Sequence, residues 1–369
     1  MTRASLPPYT LWGYRAGMGD DLRAATSAEN WTTAVLAWLL VSGLYADGWA
    51  HVHVPGLEMF FTPWHGVLYG GFALLVAWLV VMVVLRRRAV SGRRADVAPG
   101  YGWGWVGVAV FAAGGLADMA WHLAFGVEAG IDALVSPTHL VLLTGGLLLV
   151  LSPFRAQASK SRTWTWPAVL SIAAATALVG FFLSYVSVFT DPGAREALST
   201  IPEGAPGHRA AELPTVAGLG GYLVTTLLIV APLLHLHRRR QLPTGTATVV
   251  VAAAALPASV LSDLAFVVPA LAAVIGAVVV DLLLLSYRAM PDAVLAGLLA
   301  LLVWTGELVG LVATGNLAWP PELWAGVVLL TVLLAAMLSR LLQPHVTATA
   351  LPSPRILTEA PLPLRRSAP

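Results

Sequence analysis

The sequence contains no cysteine and few charged residues. Because none of the 369 residues is cysteine, disulfides, thiolate metal sites, iron–sulfur clusters and cysteine nucleophiles are excluded. Any bound metal must therefore take nitrogen and oxygen ligands. Methionine occurs only 7 times and without clustering, so we do not expect a thioether pathway for Cu(I). Charged residues make up 11% of the chain, which is too few for an ordinary soluble domain.

The chain consists instead largely of long apolar runs. Hydrophobic residues make up 58% of the sequence and the mean hydropathy is +0.78. Runs of about 20 apolar residues match the hydrocarbon core of a bilayer, and they predict an all-α, polytopic transmembrane helix bundle with ten spans. The predicted spans are 31–50, 63–85, 103–125, 137–153, 164–189, 213–234, 246–266, 268–287, 293–313 and 321–342. The seventh and eighth are so close that one kinked or re-entrant element is the alternative there.

Basic and acidic loops alternate along the chain. Arginine clusters occupy 86–94, 155–162 and 238–240, whereas the intervening loops carry acidic residues. By the positive-inside rule, the basic loops and both termini are cytoplasmic. Residues 1–30 lack the apolar core of a signal peptide, so we expect the first span to be retained. These features predict a multi-pass protein of the plasma membrane of a bacterium.

The predicted spans group into helical hairpins. Two hairpins carry a duplicated motif, and two degenerate hairpins are suggested by weaker echoes of it around Pro214 and Pro269. The predicted order is a cytoplasmic segment (1–30), the two motif-bearing hairpins (31–153), the two degenerate hairpins (154–290), two additional spans (291–342) and a disordered cytoplasmic tail (343–369).

The duplicated motif combines an acid with two histidines. Residues 46–51 read Ala-Asp-Gly-Trp-Ala-His and 62–65 read Thr-Pro-Trp-His; residues 117–122 read Ala-Asp-Met-Ala-Trp-His and 136–139 read Ser-Pro-Thr-His. Asp and His four apart share one face of a helix, and a proline in the first turn of the next helix directs the later His towards them. We therefore expect two clusters: the first triad is Asp47, His51 and His65, and the second triad is Asp118, His122 and His139.

Each triad has the residue types of a metal site. One carboxylate with two imidazoles suits Cu(II), Zn(II) or non-haem Fe(II), and three protein ligands leave a position open for water or substrate. Such residues are costly within apolar spans, which favours a function over helix-end hydrogen bonding. For the unduplicated His53, His208, His235, His237 and His345, the interfacial interpretation is preferred, and His53 is the borderline case because it belongs to one copy only. Candidates for groups that hydrogen-bond the ligands are His53, Glu58, Glu128, Asp132 and Glu307. For Glu307, pairing with a polar neighbour in the helix bundle is the alternative.

Both copies resemble a known family. Asp118-x-x-Trp121-His122 followed by Ser136-Pro137-x-His139, and the matching first copy, resemble the copper-site segment of the C subunit of particulate methane and ammonia monooxygenases. The resemblance covers two short segments, the gap between the two histidines is longer here, and this chain has more spans. It implies copper on both triads, further membrane subunits or a homo-oligomer, and copper-dependent oxidation of a small apolar substrate.

Three other functions remain open. A metal-transport or metal-handling protein would need polar groups that continue inward from the triads. A haem b or quinone protein would use histidine pairs as axial ligands, although axial ligation needs no carboxylate. A zinc-dependent membrane hydrolase would use Glu58 or Glu128 as general base. The expected surroundings are the lipid bilayer, and we expect no nucleic-acid partner.

Overall fold

The protein is all-α over the part of the chain that is described. The computed structural model describes residues 24–55, 61–89, 97–126, 130–157, 163–239 and 241–342, and these ranges contain helices, turns and one isolated bridge but no strand. Eight helices in these ranges are long and apolar enough to cross a membrane. The prediction of an all-α, multi-pass membrane protein is therefore confirmed at that level.

Apolar helices occupy the ten predicted positions, with Pro137–Gln157 counted as one span of 21 residues, but two of them are short. Trp166–Phe182 and Thr246–Leu261 have 17 and 16 residues, fewer than the roughly 20 that span a bilayer. Over the described residues, the structure thus supports eight spans by length and composition, and the other two predicted spans are not confirmed. In chain order the helices are α1 Ser27–His53, α2 Pro63–Ala89, α3 Gly102–Phe125, α4 Ile131–Val135, α5 Pro137–Val150, α6 Ser152–Gln157, α7 Trp166–Phe182, α8 His208–Ala211, α9 Leu213–Arg239, α10 Thr246–Leu261, α11 Val267–Ser286, α12 Asp292–Ala313 and α13 Pro321–Leu341.

A tight turn separates α10 from α11, so this region is two helices and not one re-entrant element. Asp263 and Leu264 have φ angles of 53° and 62°, a left-handed backbone conformation that residues other than glycine adopt rarely. The backbone N–H of Leu264 donates to the carbonyl of Ser259 at 2.9 Å. The chain therefore reverses within five residues, 262–266, without a polar loop.

The two helices of each motif-bearing hairpin cross at matching residues in both copies. A Cβ added at Gly71 of α2 would lie 3.1 Å from the Cα of Leu40 in α1, and one at Gly145 of α5 would lie 2.5 Å from the backbone N of Phe111 in α3. Gly43 on Leu68 and Gly114 on Leu142 form a second matching pair of contacts. These glycines let the helices approach closely. The repeat found in the sequence is therefore also a repeat in helix packing.

Polar contacts hold α1 to α2 and to the start of α3 at the end of the bundle opposite the triads. Glu29, in the first turn of α1, pairs with Arg86 of α2 at 2.7 Å. The Tyr101 hydroxyl, just before α3, donates to Asn30 of α1 at 2.9 Å. Because α1 has 27 residues at about 1.5 Å each, Asp47 and His51 lie near its far end.

Helices α9 to α13 form a second core, whereas α7 packs into the core of the hairpins. α7 packs against α1 and α10, and α12 packs between α11 and α13, with α9 alongside. Asp281 of α11 is buried and caps the start of α10: its carboxylate accepts from the backbone N of Ala247 at 3.1 Å and of Thr248 at 2.8 Å. The Asp281 carboxylate therefore stabilises the packing of α11 against α10.

Candidate metal centre

The first triad assembles where α1 ends and α2 begins. Asp47 and His51 lie one turn apart on α1, and His51 Nε2 is 3.8 Å from Asp47 Oδ2. His65 is the third residue of α2, and its Nδ1 is 3.4 Å from Asp47 Oδ1. The backbone N–H of His65 donates to the Thr62 hydroxyl at 3.1 Å. This cap and the proline that follows it fix the direction in which α2 starts.

The second triad repeats this arrangement on α3 and α5. Asp118 Oδ1 lies 3.5 Å from His122 Nε2 and 3.2 Å from His139 Nε2. Asp118 is 1% exposed. One carboxylate oxygen therefore faces two imidazole nitrogens from two helices inside the protein.

The spacing of these atoms suits a metal ion. In each triad, one ligand-type atom from each residue lies within 4.8 Å of the other two. Metal bonds of about 2.0–2.1 Å in a tetrahedral site put neighbouring ligand atoms about 3.3 Å apart. The carboxylate–imidazole separations run from 3.2 to 3.8 Å, close to that value. Both groups could hold a metal ion.

An unsatisfied oxygen in the first triad also fits a missing cation. Asp47 Oδ1 is buried and accepts no hydrogen bond from the described residues. A buried carboxylate oxygen in that position costs free energy unless a partner is supplied. A metal bound between Asp47 and the two histidines would provide that partner.

A hydroxyl group lies beside one histidine in each triad. Thr62 Oγ1 lies 3.0 Å from His65 Nδ1, and Ser136 Oγ lies 2.8 Å from His139 Nδ1. In the second triad, Thr138 also donates to Asp118 Oδ1 at 3.0 Å. Ser136 contacts Nδ1 of His139 while Nε2 of that ring faces Asp118, the arrangement that fixes ring orientation around a metal. Thr62 contacts the same nitrogen of His65 that faces Asp47, so the first triad does not repeat this arrangement. The sequence pattern alone gives these hydroxyls no role, although Thr or Ser precedes the proline in both copies.

Both triads line one cavity of about 640 Å³. Asp47 and Asp118 lie within electrostatic range of each other. The remaining lining is mostly aliphatic and aromatic, including Leu40, Leu44, Leu68, Tyr69, Phe111, Leu142, Leu143, Leu178, Phe181 and Leu261. An apolar cavity with a few convergent polar groups is the usual form of a small-molecule site.

Three of the five other predicted site residues, His53, Asp132 and Glu307, lie within the described part of the chain. His53 lies at the cavity wall, but its Nδ1 donates to the Trp49 carbonyl at 2.9 Å and its ring stacks on Trp49. Asp132 is exposed on α4. Glu58 and Glu128 lie outside the described residues.

Glu307 lies in the second core instead of beside a triad. It is fully buried on α12, and its carboxylate accepts a hydrogen bond from Tyr222 of α9 at 2.8 Å. It is not among the residues that line the cavity. Glu307 was expected to hydrogen-bond the triad ligands, but it does not reach them because α12 packs mainly against α9, α11 and α13.

Comparisons with protein-family models, curated proteins and solved structures give no match to this chain. What the structure supports is therefore the class: a multi-pass membrane protein with two carboxylate–histidine groups that could bind metal.

Proposed function

We propose that this protein is a copper-binding integral membrane protein that oxidises a small apolar substrate, as a copper-dependent oxidase or monooxygenase-like enzyme. The observation that carries the proposal is the placement of two carboxylate and bis-imidazole triads in one mostly apolar cavity. Copper is preferred because of the sequence resemblance, since the donor set itself also suits zinc or iron.

Each group of residues has a defined task in this proposal. The two triads would hold the metal, and copper with an open position supplies the chemistry of dioxygen activation. Ser136 orients the ring of His139 through Nδ1, while Nε2 faces Asp118. The apolar walls bind an apolar substrate and limit the access of water to the site.

Metal transport is less well supported than oxidation. Leu40, Phe111 and Leu142, which line the cavity and are buried, are apolar. Of the buried acids that could continue a path inward, Asp281 caps α10 and Glu307 bonds to Tyr222. An ion that left the triads would therefore enter an apolar environment, which is costly for a charge.

We also propose an orientation, in the plasma membrane of a bacterium, with the triads near the outer face. Further membrane subunits or a second copy are expected partners. Because the chain has no cysteine, single cysteines report sidedness cleanly. In intact cells, Ser199→Cys should react with a membrane-impermeant maleimide and Arg88→Cys should not. The reverse labelling pattern would invert the topology.

Metal analysis tests the proposed function directly. We expect protein purified without added metal to contain copper, up to two ions per chain if each triad binds one, and to show no haem bands in its absorption spectrum. Copper-loaded protein supplied with a chemical reductant should consume dioxygen faster when a small alkane or alkene is added and should form the corresponding alcohol or epoxide, because one oxygen atom enters the substrate and two electrons from the reductant convert the other to water. Zinc or iron in place of copper, or failure of folded protein to take up added Cu(II), would overturn the copper assignment.

A further inference from the structure

A tyrosine breaks the symmetry between the two copies. Tyr69 lies one turn after His65 on α2, with the ring centroids 6.3 Å apart and the planes 15° from parallel. The equivalent position, one turn after His139 on α5, is Leu143. Both side chains line the cavity. Only the first copy therefore contributes a phenol at this position.

The Tyr69 ring extends from α2 of the first hairpin to α3 of the second hairpin. A Cβ added at Gly115 of α3 would lie 2.9 Å from Tyr69 Cε1 and 3.1 Å from its hydroxyl oxygen. Gly115 is one turn before Asp118 on the same helix, and the matching position before Asp47 is Leu44. A glycine thus makes room for the phenol beside the second triad, whereas the matching place beside the first triad holds a leucine.

The hydroxyl of Tyr69 is buried at this crossing. The Tyr69 side chain is close enough to both Asp118 and Asp47 for the charges of these carboxylates to act on it. A phenol O–H in an apolar cavity is a strong donor for any anion held nearby, because little water competes for it. The location of Tyr69 therefore suits interaction with a ligand on the metal instead of with the metal itself.

We propose that Tyr69 is a positioning residue for the second triad, where its hydroxyl donates a hydrogen bond to an anion bound at the open position of the metal. This inference rests on the proposed function, because it requires a metal on Asp118, His122 and His139. It makes the two metal sites unequal: the site on the second hairpin has a donor, supplied by the first hairpin, and the site on the first hairpin lacks the equivalent donor.

Azide binding to Cu(II)-loaded protein tests this inequality. Azide occupies open copper positions, and its charge-transfer absorption and the Cu(II) EPR signal report binding without turnover. Tyr69→Phe should weaken azide binding about tenfold at one class of copper, the loss expected for a hydrogen bond to a charged group, and leave copper content unchanged. Tyr101→Phe, which removes a phenol hydroxyl at the opposite end of the bundle, should leave both classes unchanged.

A second variant covers the case in which Tyr69→Phe perturbs packing. Gly115→Ala forces the phenol ring away from α3, so it should weaken azide binding at the same class of copper. In the Tyr69→Phe background, Gly115→Ala should add little. Unchanged azide affinity in both single variants, with two coppers bound, would overturn the role of Tyr69 and leave the proposed function standing. Absence of Cu(II) uptake by the wild-type protein would instead overturn the proposed function, before any azide is added.

Discussion

The two triads have the same ligands but different surroundings. In the second triad, Asp118 receives a hydrogen bond from Thr138 at 3.0 Å, and the side chain of His122 is 6% exposed. In the first triad, Asp47 Oδ1 has no donor among the described residues and the side chain of His51 is 28% exposed. The carboxylate of the second triad thus has a hydrogen-bond donor from the protein, whereas the buried oxygen of Asp47 has none among the described residues.

This difference arises from single positions in an otherwise duplicated framework. The glycine contacts that set the helix crossing, Gly71 on Leu40 and Gly145 on Phe111, are present in both hairpins. Thr138, which supports Asp118, is matched by Trp64 in the first copy. The same packing can therefore carry two sites of unequal affinity, and we expect the second triad to bind metal more tightly because its carboxylate is pre-oriented.

Removal of ligands gives the largest expected effect. His65→Ala and His139→Ala should each remove roughly half of the bound metal, because a site with two remaining ligands binds much more weakly. The double variant His65→Ala/His139→Ala should contain almost none. Elemental analysis of protein that still inserts and folds measures both results.

The single variants also distinguish two separate sites from one shared site. If either substitution removes nearly all of the metal, the triads act as one dinuclear centre. His235→Ala is the control, because His235 contacts Phe154 with 5.6 Å between ring centroids, away from the cavity residues. Metal content that remained unaltered in the double variant would leave the triads as structural hydrogen-bonding groups.

Much of the arrangement could be predicted from the sequence because it depends on local spacing. The four-residue interval from Asp47 to His51 places both on one helix face. Proline at the start of the next helix explains how His65 and His139 turn back towards their partners. The apolar runs predicted the helices for a similar reason, since length and composition decide membrane insertion.

The remaining features depend on contacts between distant segments. Nothing in the sequence near Tyr69 indicates that Gly115 makes space for it, and nothing near Asp281 indicates that it caps α10. Glu307 appeared suited to the metal site because a buried acid is rare in a span, yet packing assigns it to Tyr222. Hydropathy also does not show where a helix stops: α7 and α10 have only 17 and 16 residues, so their prediction as full spans is not confirmed.

A change in one supporting group should have a smaller effect than loss of a ligand. Thr138→Val keeps the shape of the side chain but removes the hydrogen bond to Asp118, so metal affinity at one of the two sites should fall about tenfold. Trp64→Phe, at the matching position of the first copy, should leave affinity at both sites nearly unchanged. Competition of Cu(II)-loaded protein with a chelator measures the two affinities. An equal loss in both variants would mean that Thr138 acts through packing.

The smallest expected effect concerns Asp132, which the sequence suggested as a supporting group. Its side chain is exposed on α4, a five-residue helix whose Ala133 and Leu134 line the cavity. Water and salt screen a charge in that position from the buried triads. Asp132→Asn should therefore change metal affinity by less than about twofold, measured in the same chelator competition. A loss as large as that of Thr138→Val would mean that α4 folds over the cavity and brings this carboxylate to a ligand, and the ranking of supporting groups would then have to be reversed.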